Sequence, residues 1–367
     1  MPKPDKIQFE YTKLESVVQG GTAAGDVVKL VERRGCRRVL LLVSRTLQKE
    51  TPVIGEIEAA LGGRLAGTFA GIPAHTPRPA VMEALAVARQ VDADLLVTVG
   101  GGSVIDAAKA VQLALEQNLD TEAALTTYAQ FADGTRGEKA GDFTLFDQPS
   151  RVRQIAVPTT LSGAEHSNNA GVTDVVRSLK EGYRGPDLCP VSIVYDPAVS
   201  VHTPLWLWLS TAVRSLDHAI EGYCSDDSHS FLEGHFLHAI RLFAHSLPLT
   251  HDDPADLQAR SLSQQAVWLA CCGLGQVRHG ASHGIGYLLG AVCGVPHGYT
   301  SCVMLPAVLA WNSQVNASRQ RAIAEALGEP SLSAGKAVRA LVRRLQLPQT
   351  LQEVGVRAKQ LPEIAEL

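Results

Sequence analysis

The clearest chemical signal in the sequence is a run of three glycines between an apolar strand pattern and a helical pattern. Residues 95–99 are apolar apart from one threonine, residues 100–102 are the glycines, and Ser103 opens a segment with helical periodicity. Glycines at such a junction let the backbone N–H groups of a helix N-terminus approach an anion closely, because no Cβ intervenes. A plain turn needs fewer glycines, and Ser103 stands at a capping position. The segment therefore predicts a pyrophosphate-binding turn, although it is not the usual GxGxxG pattern.

Length and charge narrow the class of protein. The chain has 367 residues, and 33 Lys+Arg against 37 Asp+Glu give a formal net charge of −4. At ~100–200 residues per domain, this length predicts about two domains, each with its own core. The mildly acidic balance lacks the basic surface that nucleic-acid binding needs. The N-terminus lacks a signal-peptide core and no apolar run approaches the ~20 residues of a membrane span, so we expect a cytoplasmic protein without a membrane partner.

Two halves of the chain have different hydrophobic periodicity. Before residue 196, short apolar runs alternate with helix-length segments, which predicts a parallel sheet covered by helices on both faces, with strands at residues 38–44, 64–72, 93–99, 154–157 and 192–195. From about residue 203 the apolar residues recur at helical spacing, which predicts helices at residues 204–224, 230–245, 257–270, 300–312, 319–327 and 334–345. We expect an α/β domain over residues 1–196 and an all-α domain over residues 197–367.

Four motifs in this order resemble the iron-containing (group III) alcohol dehydrogenases. They are the glycine turn with its helix at residues 100–109, then residues 158–165, 217–221 and 296–298. Within that superfamily, residues 161–165 and the spacing around His283 are similar to the maleylacetate reductase branch. The resemblance covers nearly the whole chain. It implies a dehydroquinate synthase-like fold, with an N-terminal α/β dinucleotide-binding domain for NAD(H) or NADP(H) and a helical C-terminal domain that holds a divalent metal ion.

The resemblance also implies which residues surround the cofactor. The pyrophosphate would contact Gly100, Gly101, Gly102 and Ser103. The nicotinamide side would lie near Asp106 and Lys109, with Lys180 also close to the cofactor. The adenine and ribose end would be lined by Thr159, Thr160 and Leu161.

The end of the first predicted strand bears on the choice between NAD and NADP. A carboxylate at such a position takes the ribose 2′-OH and repels a 2′-phosphate. This chain has Ser44 and Arg45 there instead. We therefore predict use of NADP(H) without excluding NAD(H); the alternative is that Arg45 is only a solvated surface charge.

The metal site of the family is altered in this chain. In the metal-dependent members that the sequence resembles, one Asp and three His hold the ion, and the Asp precedes the first His by one helical turn. His218 fits the first histidine, but Arg214 stands four residues earlier. A guanidinium cannot ligate a cation and disfavours one nearby, and no compensating acid is obvious from the sequence. The alternative interpretation of Arg214 is a salt bridge to Glu221 or to another helix face.

The remaining family positions are assigned by counting back from His297. This count aligns His283 with a ligand histidine and Tyr287 with the proton-relay histidine, and it leaves His279 outside the set. Three neutral imidazoles, here His218, His283 and His297, suffice for Zn²⁺ or Fe²⁺ in other proteins. Metal binding by this set stays open, but because of Arg214 we expect function without a metal.

We therefore expect an NAD(P)H-dependent oxidoreductase that reduces a small ketone, keto acid or aldehyde, or catalyses the reverse reaction. Arg214 would stabilise the developing alkoxide and could also bind a substrate carboxylate, while Tyr287 or one of the histidines would supply the proton. The alternatives are a phosphate-substrate or lyase enzyme of the same fold and a catalytically decayed cofactor-binding protein. By analogy with the family we also expect a homodimer, with an N-terminal strand at residues 6–11.

Overall fold

The chain divides into two compact units in the computed structural model, which describes residues 7–131, 134–141, 150–177 and 179–366. The α/β unit comprises residues 13–208 and 253–264, and the helical unit comprises residues 1–12, 209–252 and 265–367. The boundary expected near Asp196 precedes the transition from the α/β unit to the helical unit between Trp208 and Leu209, which lies within the helix Leu205–Cys224. Residues 1–12 and 253–264 depart from the expected division, because each belongs to the other unit.

The strands of the described residues all belong to the α/β unit. They are β1 Ser16–Gln19, β2 Val39–Val43, β3 Leu65–Phe69, β4 Leu95–Gly100, β5 Gln130–Phe131, β6 Arg153–Pro158, β7 Asn169–Asp174, β8 Leu179–Arg184 and β9 Ser192–Tyr195. A parallel sheet has the order β1-β9-β6-β4-β2-β3, and an antiparallel sheet has the order β5-β8-β7. The five predicted strands are confirmed as β2, β3, β4, β6 and β9. The sequence did not predict β1, β5, β7 and β8, which are short or interrupted by glycine.

The helices in chain order are α1 Ala23–Arg34, α2 Arg45–Glu50, α3 Val53–Leu61, α4 Arg78–Gln90, α5 Gly102–Glu116, α6 Glu122–Thr126, α7 Pro197–Ser200, α8 Leu205–Cys224, α9 Ser230–Asp252, α10 Leu257–Cys271, α11 Ala281–Cys293, α12 His297–Trp311, α13 Ala317–Ala326, α14 Ala334–Arg344 and α15 Leu361–Glu366. The predicted helical second half is confirmed. Helix α11 was not predicted because its glycines lower helix propensity. None of the helices in the described ranges combines the length and apolar character of a membrane span.

The parallel sheet is covered on both faces, as predicted. Leu40 and Leu42 of β2 belong to one hydrophobic cluster with α4 and α5, while Leu41 and Val43 belong to another with α1 and α3. This alternation follows from the period of two along a strand, and it explains why central parallel strands are apolar at every position. The glycine turn after β4 consequently lies at the carboxyl end of a buried strand, where ligands bind in open α/β sheets.

The N-terminal segment is not a strand in the residues that can be described. Lys6 lies outside them, and residues 7–15 are irregular. Gln276 takes both backbone groups of Glu10: its amide Nε2 donates to Glu10 O (2.8 Å), and its Oε1 accepts from Glu10 N–H (3.2 Å). The ring of Phe9 packs edge-on against Phe231, with centroids 5.2 Å apart. The side-chain amide of Gln276 therefore occupies the backbone N–H and C=O of Glu10, which a neighbouring strand would otherwise bind.

Candidate functional site

The three glycines of the predicted phosphate turn lie where β4 meets α5. Helix α5 begins at Gly102, and Gly101 caps it in extended backbone without a side-chain hydrogen bond. A Cβ on Gly101 would lie 2.9 Å from Thr160 Cγ2, and a Cβ on Gly102 would lie 2.9 Å from Ser162 Oγ. A Cβ at either position would force the neighbouring side chain to shift, and the first turn of a helix offers N–H groups without intrahelical partners. This cradle fits a pyrophosphate.

The residues at the end of β2 adjoin this turn. A Cβ on Gly100 would lie 3.5 Å from the backbone nitrogen of Ser44, which donates to Val99 O (2.9 Å). Arg45 is exposed, and its Nε donates to Ala70 O (3.2 Å). This hydrogen bond holds the guanidinium of Arg45 against the segment after β3.

The segment after β6 borders the turn from the other side. The N–H of Thr159 donates to Gly100 O (3.0 Å), and Thr159 O accepts from Thr203 Oγ1 (2.6 Å). Thr160 faces Gly101, since a Cβ on Gly101 would lie 2.9 Å from Thr160 Cγ2. Leu161 is fully buried, so its expected contact with the adenine and ribose end is not supported by an exposed surface.

Asp106 and Lys180 approach each other at Gly171. The N–H of Gly171 donates to Asp106 Oδ2 (3.0 Å), and a Cβ on Gly171 would lie 2.6 Å from Lys180 Cε. Burial lowers the pKa of Lys180, and the Asp106 carboxylate opposes this shift. The two residues therefore lie together near the start of α5, and their expected contacts with the cofactor stay predictions.

His75 is a residue of this region that the sequence did not single out. Its N–H donates to Ser103 Oγ (3.1 Å), and its carbonyl oxygen accepts from Lys180 Nζ (3.4 Å). His75 and Thr76 have φ angles of 65° and 53°, which non-glycine residues adopt rarely and at a cost. The only sequence signal is a short segment between prolines, which does not specify this geometry.

Lys109 makes its contacts inside the α/β unit. Its side chain is fully buried, and Nζ donates to Ala164 O (2.6 Å) and Asn169 O (2.7 Å). Asp106 lies 3.4 Å away on the preceding turn. Lys109 therefore ties the loop after β6 to α5, and its place near the nicotinamide side stays a prediction.

Glu165 and His166, at the end of the loop after β6, form a buried hydrogen-bonded group with Tyr195 of β9. The Tyr195 hydroxyl donates to Glu165 Oε1 (2.9 Å), and His166 Nε2 lies 2.7 Å from that hydroxyl. Burial raises the pKa of Glu165 to about 7 and lowers the pKa of His166 to about 3. His166 is thus a neutral interior residue.

Glu165 should make stability depend on pH. Its pKa in the folded chain, about 7, exceeds the ordinary value of 4.5, so its favourable contribution is complete below about pH 4.5 and is lost as pH rises through about 7. We expect Glu165→Gln to have a higher Tm than the wild type at pH 8 but not at pH 5. The corresponding gain in the free energy of unfolding at pH 8 is up to ~3 kcal/mol. Thermal unfolding followed by circular dichroism between pH 5 and pH 8 measures this. A Tm difference that does not change with pH would contradict it.

Three histidines of the helical unit lie together. His283 Nε2 on α11 lies 2.8 Å from His218 Nδ1 on α8, and His279 Nε2 lies 3.2 Å from the same nitrogen. Burial lowers the pKa of all three rings, and the positive charge of Arg214 adds to the effect. The three imidazoles are therefore neutral near pH 7.

Glu221 joins α8 to the start of α11. Its Oε2 lies 2.6 Å from His283 Nδ1, and its oxygens accept from the N–H groups of Gly280 (2.9 Å) and Ser282 (2.8 Å). Burial raises the pKa of Glu221. With Nδ1 held by this carboxylate, His283 turns Nε2 toward His218.

Arg214 is buried in the position that the resemblance assigns to the ligand Asp. Its Nη1 donates to Ser301 Oγ (3.3 Å), and its guanidinium carbon lies 5.4 Å from the centre of the Tyr287 ring. The ion pairs of the described residues do not include one from Arg214 to Glu221, so that interpretation is not supported. The absence of a compensating acid, however, was a wrong expectation. Arg214 opposes the burial-induced rise in the pKa of both Asp217 and Glu221, which shows that two buried carboxyl groups lie near its charge.

The structure groups the histidines differently from the alignment. Within the described ranges, the groups of ligand atoms that lie within 4.8 Å of one another are His218/His279/His283 and Asp217/Glu221/His283. The expected set with His297 is not among them. His297 begins α12, and its ring meets Tyr287 edge-on with centroids 6.0 Å apart. The loop before α11 brings His279 to His218 instead.

The fit of a divalent metal depends on the balance between these donors and Arg214. Three imidazoles offer enough nitrogen ligands for Zn²⁺ or Fe²⁺. However, the positive charge of Arg214 disfavours a proton on each of the three rings. For the same reason it disfavours a divalent cation bound to the ring nitrogens. A guanidinium also replaces the carboxylate ligand of the family. The ligand set of the family is therefore incomplete in this chain, although Asp217, Glu221 and His283 form a second group of ligand atoms close to Arg214.

Comparisons with known proteins agree with the fold and the motifs. The model of the iron-containing alcohol dehydrogenase family matches residues 15–197, and the model of the C-terminal part of the Fe-containing alcohol dehydrogenase family matches residues 208–367. The chain belongs to the iron-containing alcohol dehydrogenase family, and it is an NAD(P)-dependent oxidoreductase of the alcohol dehydrogenase type.

Individual relatives confirm the likeness to the maleylacetate reductase branch. The chain is 27% identical to maleylacetate reductase 1 of Cupriavidus pinatubonensis, over 99% of this chain and 90% of the relative. It is 32% identical to the dehydrogenase ALT3 of Alternaria alternata, over 90% of this chain and 92% of the relative. The crystal structure of maleylacetate reductase from Agrobacterium tumefaciens has the same fold, with a TM-score of 0.82, 24% identity, and coverage of 99% of this chain and 91% of that chain.

Proposed function

We propose that this protein reduces the carbonyl group of a small substrate that also carries a carboxylate, uses NADPH or NADH, and works without a bound metal ion. The observation that carries this proposal is Arg214, a buried cation held by Ser301 in the place of the ligand carboxylate. A permanent cation can take the electrostatic role that a metal ion has in other members of the family.

The side chains of the helical unit then have separate roles. The bound dinucleotide supplies the hydride. Arg214 stabilises the negative charge that develops on the carbonyl oxygen, and its planar fork also suits a substrate carboxylate. Because His218, His279 and His283 are neutral near pH 7, we assign proton donation to Tyr287, whose half-exposed ring covers the guanidinium.

Two finer proposals concern the cofactor and the assembly. Anchored by Ala70 O, Arg45 supports acceptance of the 2′-phosphate of NADPH. A homodimer is supported by family analogy and by the edge position of β1, which pairs with β9 on one side of the parallel sheet.

The test is NADPH oxidation by chelator-treated protein with a panel of keto acids and matched ketones and aldehydes that lack the carboxylate. We expect activity to survive chelation, added Zn²⁺ or Fe²⁺ to leave the rate unchanged, and keto acids to have the lower KM. The same assay with NADH measures the cofactor preference, and we expect NADPH to be used at least as well.

Each departure from this result has a distinct meaning. Activity only after metal addition would show that His218, His279 and His283 hold an ion despite Arg214. A strong preference for NADH would overturn the assignment of Arg45. Cofactor binding without turnover of any carbonyl would favour the catalytically decayed protein.

A further inference from the structure

We propose that Ser301 is a positioning residue for Arg214. In this arrangement Ser301 connects the guanidinium to the buried carboxyl group of Asp217 and so fixes its orientation. The inference rests on the proposed role of Arg214 in carbonyl reduction and names the residues that hold this cation in place.

The hydrogen bonds around Ser301 have a defined direction. Ser301 lies on α12, and its Oγ donates to Asp217 Oδ2 (2.7 Å). A hydroxyl has a single proton, so with that proton directed at Asp217 the lone pairs of Oγ are left to accept from Arg214 Nη1 (3.3 Å). Ser301 therefore bridges the carboxyl group of Asp217 and the guanidinium of Arg214 through two hydrogen bonds.

Arg214 and Asp217 are connected through Ser301 rather than by a direct ion pair in the described residues. Arg214 and Asp217 are three residues apart on α8 and so share a face, yet the ion pairs of the described residues include none between them. Ser301 and Asp217 are fully buried, and Arg214 is 6% exposed. In such a setting water does not compete, and each hydrogen bond is electrostatically stronger than at the surface.

Helix α11 confines the same guanidinium from another direction. A Cβ on Gly286 would lie 3.5 Å from Arg214 Nη1 and 2.9 Å from Thr300 Oγ1. The Tyr287 ring covers the guanidinium at 5.4 Å. Gly286 and Tyr287 restrict the space around the guanidinium but do not accept a hydrogen bond from it. Ser301 does accept one, so this contact fixes the direction of the guanidinium.

Ser282 provides a matched control for Ser301. Its Oγ also donates to Asp217 Oδ2 at 2.7 Å, and it is also fully buried. It lies on α11, where its hydroxyl donates to Asp217 and its N–H donates to Glu221. Arg214 donates to Ser301 instead. Removing either hydroxyl deprives Asp217 of one donor, but only the loss of Ser301 affects the cation.

The experiment compares Ser301→Ala with Ser282→Ala in the full-length protein. We expect Ser301→Ala to lower kcat/KM for carbonyl reduction by about tenfold to hundredfold and Ser282→Ala by less than about threefold, with similar Tm values. In an Arg214→Met background, Ser301→Ala should cause no further loss. NADPH affinity, which depends on the α/β unit, should stay unchanged in all variants.

Binding of succinate, measured by calorimetry, tests the inference without turnover. We expect Ser301→Ala to weaken succinate binding and Ser282→Ala to leave it unchanged. Equal effects of the two variants, or a further loss from Ser301→Ala in the Arg214→Met background, would overturn the inference. If Ser301→Ala does not fold, Ser301→Thr keeps the hydroxyl and should retain activity; its inactivity in a folded protein would also overturn it. Wild-type protein that binds NADPH but reduces no carbonyl would instead contradict the proposed function.

Discussion

Arg214→Met will lower kcat/KM for carbonyl reduction by about 10²–10³ while leaving the NADPH dissociation constant unchanged. Methionine keeps much of the side-chain length but removes the charge near the carbonyl oxygen and the donor to Ser301. Steady-state kinetics with the best keto acid of the panel, together with fluorescence titration of NADPH, measure both quantities. Full metal-free activity of this variant would contradict the role of Arg214.

Two further substitutions at the same position separate charge from geometry. Arg214→Lys keeps a cation without the planar fork, so we expect an intermediate rate and a raised KM for carboxylate-bearing substrates. Arg214→Asp recreates the family spacing of an Asp four residues before His218, so we expect this variant to retain zinc after dialysis. Elemental analysis of the dialysed proteins measures this. Stoichiometric zinc in dialysed wild-type protein would show that Arg214 does not exclude the ion.

Gly101→Val will abolish tight NADPH binding. A Cβ at this position would already lie 2.9 Å from Thr160 Cγ2 and 3.2 Å from Thr160 Oγ1, so the added side chain displaces the loop or fills the space above the helix N-terminus. We expect the NADPH dissociation constant to rise by about hundredfold or more, equivalent to the loss of two charged hydrogen bonds. Fluorescence titration measures the constant.

A glycine in open space is the control for this substitution. Gly55 lies within α3 of the same unit, and a Cβ there would meet nothing within 4 Å. Gly55→Ala should therefore leave NADPH binding unchanged and raise Tm slightly, because alanine is the better helix former. Wild-type NADPH affinity in Gly101→Val would show that the cofactor does not approach this turn.

Features that depend on local sequence were predictable. Residues 95–102 contain a buried strand and three glycines in immediate succession, and such a segment leaves few alternatives to a strand, a tight turn and a helix. The expected capping role of Ser103 was wrong, because the helix begins at Gly102 and Gly101 is its N-cap. The replacement of the family's Asp by Arg214 was equally visible, because spacing along one helix determines which side chains share a face. The resemblance to the iron-containing alcohol dehydrogenases was also visible in the sequence, because it rests on four motifs whose order along the chain does not depend on packing.

The composition of the histidine group depended on tertiary packing. Counting along the chain separated His279 from the set and included His297, yet the structure brings His279 to His218 and turns His297 toward Tyr287. His279 precedes α11 and His297 begins α12, so neither position follows from a single helical period. Their places depend on how these helices pack against α8.

From the sequence alone, this protein is an α/β dinucleotide-binding oxidoreductase with a cation where its family has a metal-binding carboxylate. Only the tertiary structure shows that Ser301 connects Arg214 to Asp217, that His279 meets His218, and that the amine of Lys109 is used inside the protein. The physical reason is the distance along the chain over which each effect acts. Asp217 and Glu221 follow Arg214 on the same helix, where periodicity determines which side chains share a face, whereas Ser301 and His279 come from other segments that only packing brings to this helix.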